Sequence, residues 1–196
     1  MRQTILTLLC LAMIVAYPRL AAADDDDAPK PKHPKEWATY EDKEHGFQID
    51  FPGEWESKKS ISEAVIGLFV SPAAPEGRSA DVVTVSYAKE KAPQDLDKLL
   101  VGELKALKEQ VRDFKLVEKG FARVDGHEAR RMVYTGRGEN DIEIENVTLM
   151  ISLHDGRFFS ISIVSDPQRH DAFRKTAERI FDSFKVLKMK PAEDKG

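Results

Sequence analysis

The chain has 196 residues, 41% hydrophobic and 33% charged, with 30 Lys plus Arg against 34 Asp plus Glu and a formal net charge of -4. That length builds one ordinary globular domain rather than two substantial ones, and the apolar fraction is too high for a disordered chain. The 11 glycines and 10 prolines exclude a collagen-like repeat, and an acidic chain with no basic stripe interleaved with aromatics is not built for nucleic acid.

Residues 1–23 read as an export signal. Arg2 supplies a short positive start, Ile5 to Tyr17 is an almost unbroken apolar run, and Leu20, Ala21, Ala22 and Ala23 present small residues to a signal peptidase. The expected cleavage follows Ala23, and the mature protein is placed in the periplasm or outside the cell. The apolar run is short of the roughly 20 residues that a spanning helix needs, and no later stretch is longer. Cys10, the only cysteine, lacks the small residue before it that lipidation requires. Its loss with the signal leaves a mature chain without a thiol, which excludes disulfides, thiol catalysis and cysteine-ligated metals.

Residues 24–35 hold Asp24 to Asp27, three prolines and no large apolar side chain, so they read as a flexible acidic linker. The four aspartates lack the interleaved glycine and distal glutamate of a calcium loop and read as solvated charges. The folded domain is expected over 36–188, with a frayed tail over 189–196.

Within the domain, Trp37 to Tyr40 and Phe47 to Phe51 read as a hairpin around the turn Glu41 to Gly46, and Pro52 and Gly53 end it. Ala64 to Val70 and Val82 to Tyr87 are apolar, β-branched runs expected at the centre of a sheet, separated by the Ser71 to Ser79 loop. Gln94 to Arg112 places Leu96, Leu99, Leu100, Leu104, Leu107 and Val111 on one helical face, with Pro93 suited to the first turn.

Four strands are expected next: Phe114 to Glu118, His127 to Tyr134, Asp141 to Leu153 and Phe158 to Val164. Asp125-Gly126, Gly136 to Asn140 and His154 to Gly156 mark turns of an antiparallel meander. In the third strand the apolar phase switches near Asn146, which implies a bulge or a strand covered on both faces. Asp166 and Pro167 open a last helix whose stripe is Phe173, Ala177, Ile180 and Phe184, and Phe184 to Leu187 adds a closing strand. Two amphipathic helices need two apolar surfaces. The expected class is therefore α+β, an α/β/α sandwich with a central, mainly antiparallel sheet.

Two segments carry a resemblance. Tyr40 to Trp55 (a tyrosine, a charged turn with Gly46-Phe47, then Pro52 leading to Trp55) resembles the start of the PsbP-like domain. Gly156 to Ile161, the Asp166-Pro167 helix and Asp182-Ser183-Phe184 are similar to its ending, and together the segments bracket Glu36 to Leu187. The resemblance implies the Mog1/PsbP α/β/α sandwich. That fold is used for binding and assembly by an extrinsic photosystem subunit, a nuclear-transport cofactor that binds a small GTPase, and exported bacterial relatives. It transfers no functional residue, because the matching positions are packing and turn residues: Phe47 and Trp55 as core, Gly46 and Pro52 as turns.

Catalytic signatures are missing from the sequence: no G-x-S-x-G, Walker loop, H-E-x-x-H or G-x-G-x-x-G, and Gly136-Arg137-Gly138 is only a turn. His33, His45, His127, His154 and His170 are spread singly. His154-Asp155 pairs an acid with a base in sequence, but adjacency does not make a hydrogen bond, and the turn reads as solvated. Strand period places Asp141, Glu143 and Glu145 on one side, the one arrangement suited to a divalent cation, against the simpler reading of a polar strand end facing water. Arg130 and Arg131 point to opposite sides, with Glu143 as a cross-strand partner. The expectation is a monomeric, exported, non-catalytic binding or assembly protein with a protein partner in the envelope and no cofactor; the alternative is a small-ligand or divalent-metal binder.

Overall fold

A computed structural model of the chain describes residues 36–58, 62–72, 80–138 and 141–189. The signal, linker and most of the tail expected from the sequence lie outside them. The main sheet has seven antiparallel strands in the order β3 (Glu56–Ser57), β4 (Val65–Val70), β5 (Val82–Lys89), β9 (Arg157–Ser165), β8 (Glu143–Ser152), β7 (His127–Arg137) and β6 (Arg112–Val124). The last four form the meander, because short turns leave each strand no neighbour but the next. Asp125 and Gly126, with φ of 49° and 79°, make the tightest of these turns. At Gly156, φ is 84°, and a Cβ would lie 2.1 Å from the Glu90 carbonyl, so the β8–β9 turn admits no side chain there.

The opening hairpin, β1 (Trp37–Asp42) and β2 (Phe47–Pro52), does not join this sheet. With the closing strand β10 (Lys185–Val186) it forms a separate three-stranded sheet. Phe47, Ile49 and Phe51 project from it into the core beside α2 (His170–Ser183). Its apolar side chains meet α2 and the main sheet together, an arrangement that strand patterns alone do not specify.

Adjacent residues on one strand show that the two helices cover opposite faces. Val133 and Leu149 pack with Phe173, Ala177, Ile180 and Phe184 of the α2 side, while their neighbours Met132 and Met150 pack with Leu96, Leu100, Leu107 and Val111 of α1 (Leu96–Gln110). The α/β/α sandwich is therefore the fold. The phase switch in β8 is not a bulge: β8 pairs one-to-one with β7 and β9, and it is buried on both faces.

Several boundaries differ from the sequence reading. Pro93 precedes α1, whose cap is Asp95; its carboxylate accepts from the backbone N–H of Asp97 and Lys98. Asp166 caps not α2 but a 3-10 turn, Pro167–Arg169, through Gln168 N–H. β6 runs on past Glu118 to Val124, and β3 adds a two-residue strand beside β4. No helix among the described residues is long and apolar enough to cross a membrane.

Candidate binding face

The groups singled out by sequence spacing are engaged with one another inside the fold. Arg137 is ringed by Asp113 at 3.1 Å, Asp141 at 3.2 Å and Glu143 at 3.1 Å, and Asp141 also meets Arg112 at 2.9 Å. Glu145, 1% exposed, lies instead under α2 and accepts from Arg174 Nε at 3.0 Å. The structure thus brings Asp141 and Glu143 to one guanidinium and takes Glu145 elsewhere. Among the described residues, no group of three or more His, Cys, Asp or Glu side chains is placed to hold a metal ion.

His154 is exposed, and Asp155 turns away from it to Arg157, Oδ2 to Nε at 2.7 Å. Burial raises the Asp155 carboxyl, but the hydrogen bonds and charge of Arg157 outweigh it and hold the group below its ordinary value. Arg157 is itself buried and donates to the carbonyls of Gly46 and Leu187, tying the small sheet to β9. A histidine–aspartate pair does form, at a place sequence adjacency did not show: His45 Nδ1 and Asp42 Oδ2 are 2.8 Å apart, and the His45 ring meets Tyr87 edge-on. The signal available in the sequence was the D-x-x-H of the turn, where Asp42 also accepts from the N–H groups of Glu44 and His45. Here the pair shapes a turn.

Arg130 and Arg131 do point to opposite faces, but Glu143 partners neither. Arg131 reaches Glu118 and, on α2, Glu178. Arg130 is clamped by Asp97 at the start of α1, with Nε to Oδ1 at 2.7 Å and Nη2 to Oδ2 at 3.0 Å. The fork-to-fork geometry holds the Asp97 carboxyl below its ordinary value. The Arg130 guanidinium carbon then lies 3.9 Å from the centroid of Phe121, on the neighbouring strand. Phe121 is 80% exposed.

This chain from Asp97 through Arg130 to Phe121 defines the candidate face. A lone exposed phenylalanine is unremarkable, but one fixed from below by a clamped arginine is ordered before anything binds it. Lys119 and Arg123 flank it on the same side of β6, two residues away in each direction. On the adjoining outer side of α1, Lys98, Val101, Lys105 and Lys108 are exposed, Val101 at 66%. Sequence reading missed the face because Phe121 falls after the expected end of its strand, and nothing local distinguishes it from a core residue. At the other end of α1 a shallow groove of about 450 Å³ is lined by residues from Lys108 to Phe114.

The sequence model of the PsbP family matches residues 35–186. The chain belongs to the PsbP family. Solved structures agree on the Mog1/PsbP fold. CyanoP, a cyanobacterial PsbP from Synechocystis sp. PCC 6803, is 13% identical with a TM-score of 0.58 over 85% of this chain and 98% of that one. LpqN of Mycobacterium tuberculosis, described as involved in cell envelope biogenesis, is 14% identical with a TM-score of 0.58 over 78% and 91%. The Ran-binding protein Mog1p of Saccharomyces cerevisiae is 11% identical with a TM-score of 0.55 over 72% and 90%. No curated protein matches the sequence. At such identities the PsbP fold is what these structures share with this chain, and side-chain roles do not carry across.

Proposed function

We propose that the chain is an exported, non-catalytic accessory protein of the cell envelope or extracellular space, which works by holding a protein partner against the face formed by α1 and β6. Phe121 carries this reading, as an aromatic side chain exposed yet held in place by Arg130 and Asp97, with the exposed cations Lys119 and Arg123 on either side. Interface centres are built from such anchors. The readings of LpqN as an envelope protein and Mog1p as a Ran-binding protein support it by kinship of fold, and residues 1–23 support export.

The experiment is photo-crosslinking in the native envelope, with a photoreactive side chain at position 121. The expected result is a discrete adduct, lost when Arg130→Ala releases the ring, and none from the same probe at Lys175 on α2. Turnover in an unbiased substrate screen, abolished by changing a single residue, would count decisively against an accessory role. A second reading, small-ligand or divalent-metal binding, draws on the groove beside Asp113 and the nearby Asp141 and Glu143. A dose-dependent rise in thermal stability with divalent cations, lost in Glu143→Ala but not in Glu145→Ala, would favour it.

A further inference from the structure

How a partner is held follows from the backbone of β6. It is the last strand of the main sheet: β7 pairs with one side, and no strand among the described residues pairs with the other. Its first half is irregular, with register shifts between Arg112 and Lys115 and between Leu116 and Glu118. From Glu118 to Val124 the pairing with β7 is one-to-one, so this stretch presents a regular outer edge. Lys119, Phe121 and Arg123 stand exposed on the α1 side, and neither cation makes an ion pair among the described residues. The opposite side is floored by Gly120 and Ala122, and a Cβ on Gly120 would meet nothing within 4 Å.

Proteins blunt open edges with bulges and lysines, and the first half of β6 fits that pattern. The second half keeps a lysine, Lys119, but has no bulge, and an ordered aromatic on an open edge promotes pairing instead of preventing it. The geometry points to strand addition: an extended, acidic segment of a partner protein pairs with Glu118–Val124, its carboxylates opposite Lys119 and Arg123 and an apolar side chain opposite Phe121. This rests on the binding role proposed above. A second copy of this chain is a poorer occupant. Antiparallel pairing of two copies about Phe121 sets Lys119 of one opposite Arg123 of the other, and like charges directly opposed repel.

The test titrates the full chain into a labelled peptide in which threonines alternate with glutamate, valine and glutamate. Saturable binding is expected, with slowed amide exchange over Glu118–Val124. Phe121→Ser, and separately Lys119→Glu with Arg123→Glu, should each weaken it by about tenfold or more, while Lys175→Glu leaves it unchanged. An unaltered thermal transition shows that the variants fold. A backbone N-methylated peptide keeps the charges but not the hydrogen bonds, so equal affinity for it overturns strand addition. Absent saturable binding overturns it too. If the probe at position 121 still captures a partner, the binding role survives that failure; if it captures nothing, both fall. Dimers of the chain alone, dissolved by Phe121→Ser, would assign the edge to a second copy and overturn the proposal.

Discussion

On β9 the side chains beneath α2 are Phe159, Ile161 and Ile163, while on the reverse of the same strand, the α1 face, Ser160 and Ser162 stand between Phe158 and Val164. The difference extends across the sheet. The α2 side is an aromatic core in which Phe47, Phe159 and Phe184 lie within 5.8 Å of one another, centroid to centroid. The α1 side is a smaller apolar cluster beside a buried polar strip: Asn146 Nδ2 donates to Ser162 Oγ at 2.7 Å, and Thr148 Oγ1 to Asn146 Oδ1 at 2.7 Å. Apolar contacts tolerate small displacements, whereas a buried polar strip is stabilising only when each member has its partner. The two faces therefore differ in kind: α2 anchors the fold, while α1 is held by a smaller apolar cluster together with its Asp95 cap and the Asp97–Arg130 pair, and it flanks the surface offered to a partner.

The largest expected effect lies on the α2 side. Phe159→Ala should cost about 4 kcal/mol in urea unfolding, because the cavity opens between two sheets and a helix. Leu107→Ala beneath α1 should cost about 3 kcal/mol, and the contrast between faces breaks if it proves the more damaging of the two. Ser162→Ala should cost about 1 kcal/mol by leaving the Asn146 amide unpaired; adding Asn146→Val and Thr148→Val should restore much of it, as no unpaired polar group then remains.

Acid sharpens the comparison further. Hydrogen bonds from the Lys98 backbone and side chain hold Asp95 below its ordinary value, and Arg130 does the same for Asp97. Both folded values lie below the unfolded one of about 4, so their stabilisation is complete above that pH and is lost as the pH falls through the folded values. Amide protection factors, corrected for the intrinsic exchange rate at each pH, should therefore fall in α1 before α2 on acidification, and Asp97→Asn should diminish the difference. The smallest effect on stability belongs to Phe121→Ser, within about 1 kcal/mol in the same unfolding assay, since the ring buries little and contributes chiefly its contact with Arg130.

Much of the architecture was legible because periodicity reports burial. The leucines of α1, the Phe173–Phe184 stripe of α2 and the alternation in β9 each identify a face directed inward. The double burial of β8 was legible too, as a phase switch with two explanations between which register decides. What local pattern could not reveal was the length of β6, where exposed residues on an edge strand carry no apolar alternation, and the separation of β1 and β2 from the main sheet. Asp141, Glu143 and Glu145 show the same limit: spacing placed them near one another, but the arginines that claim them come from β6, β7 and α2.

From the amino-acid order alone came the class of fold, the two amphipathic helices, the meander and the family resemblance, because short-range spacing dictates which side chains a helix or strand must bury. Tertiary structure alone decided that the first and last strands join β2 in a sheet of their own, that the strand carboxylates are neutralised by arginines of β6, β7 and α2, and that Phe121 is held outward by an arginine one strand away. Those outcomes depend on contacts between separate elements, and the energy of such contacts is not written in either element taken separately.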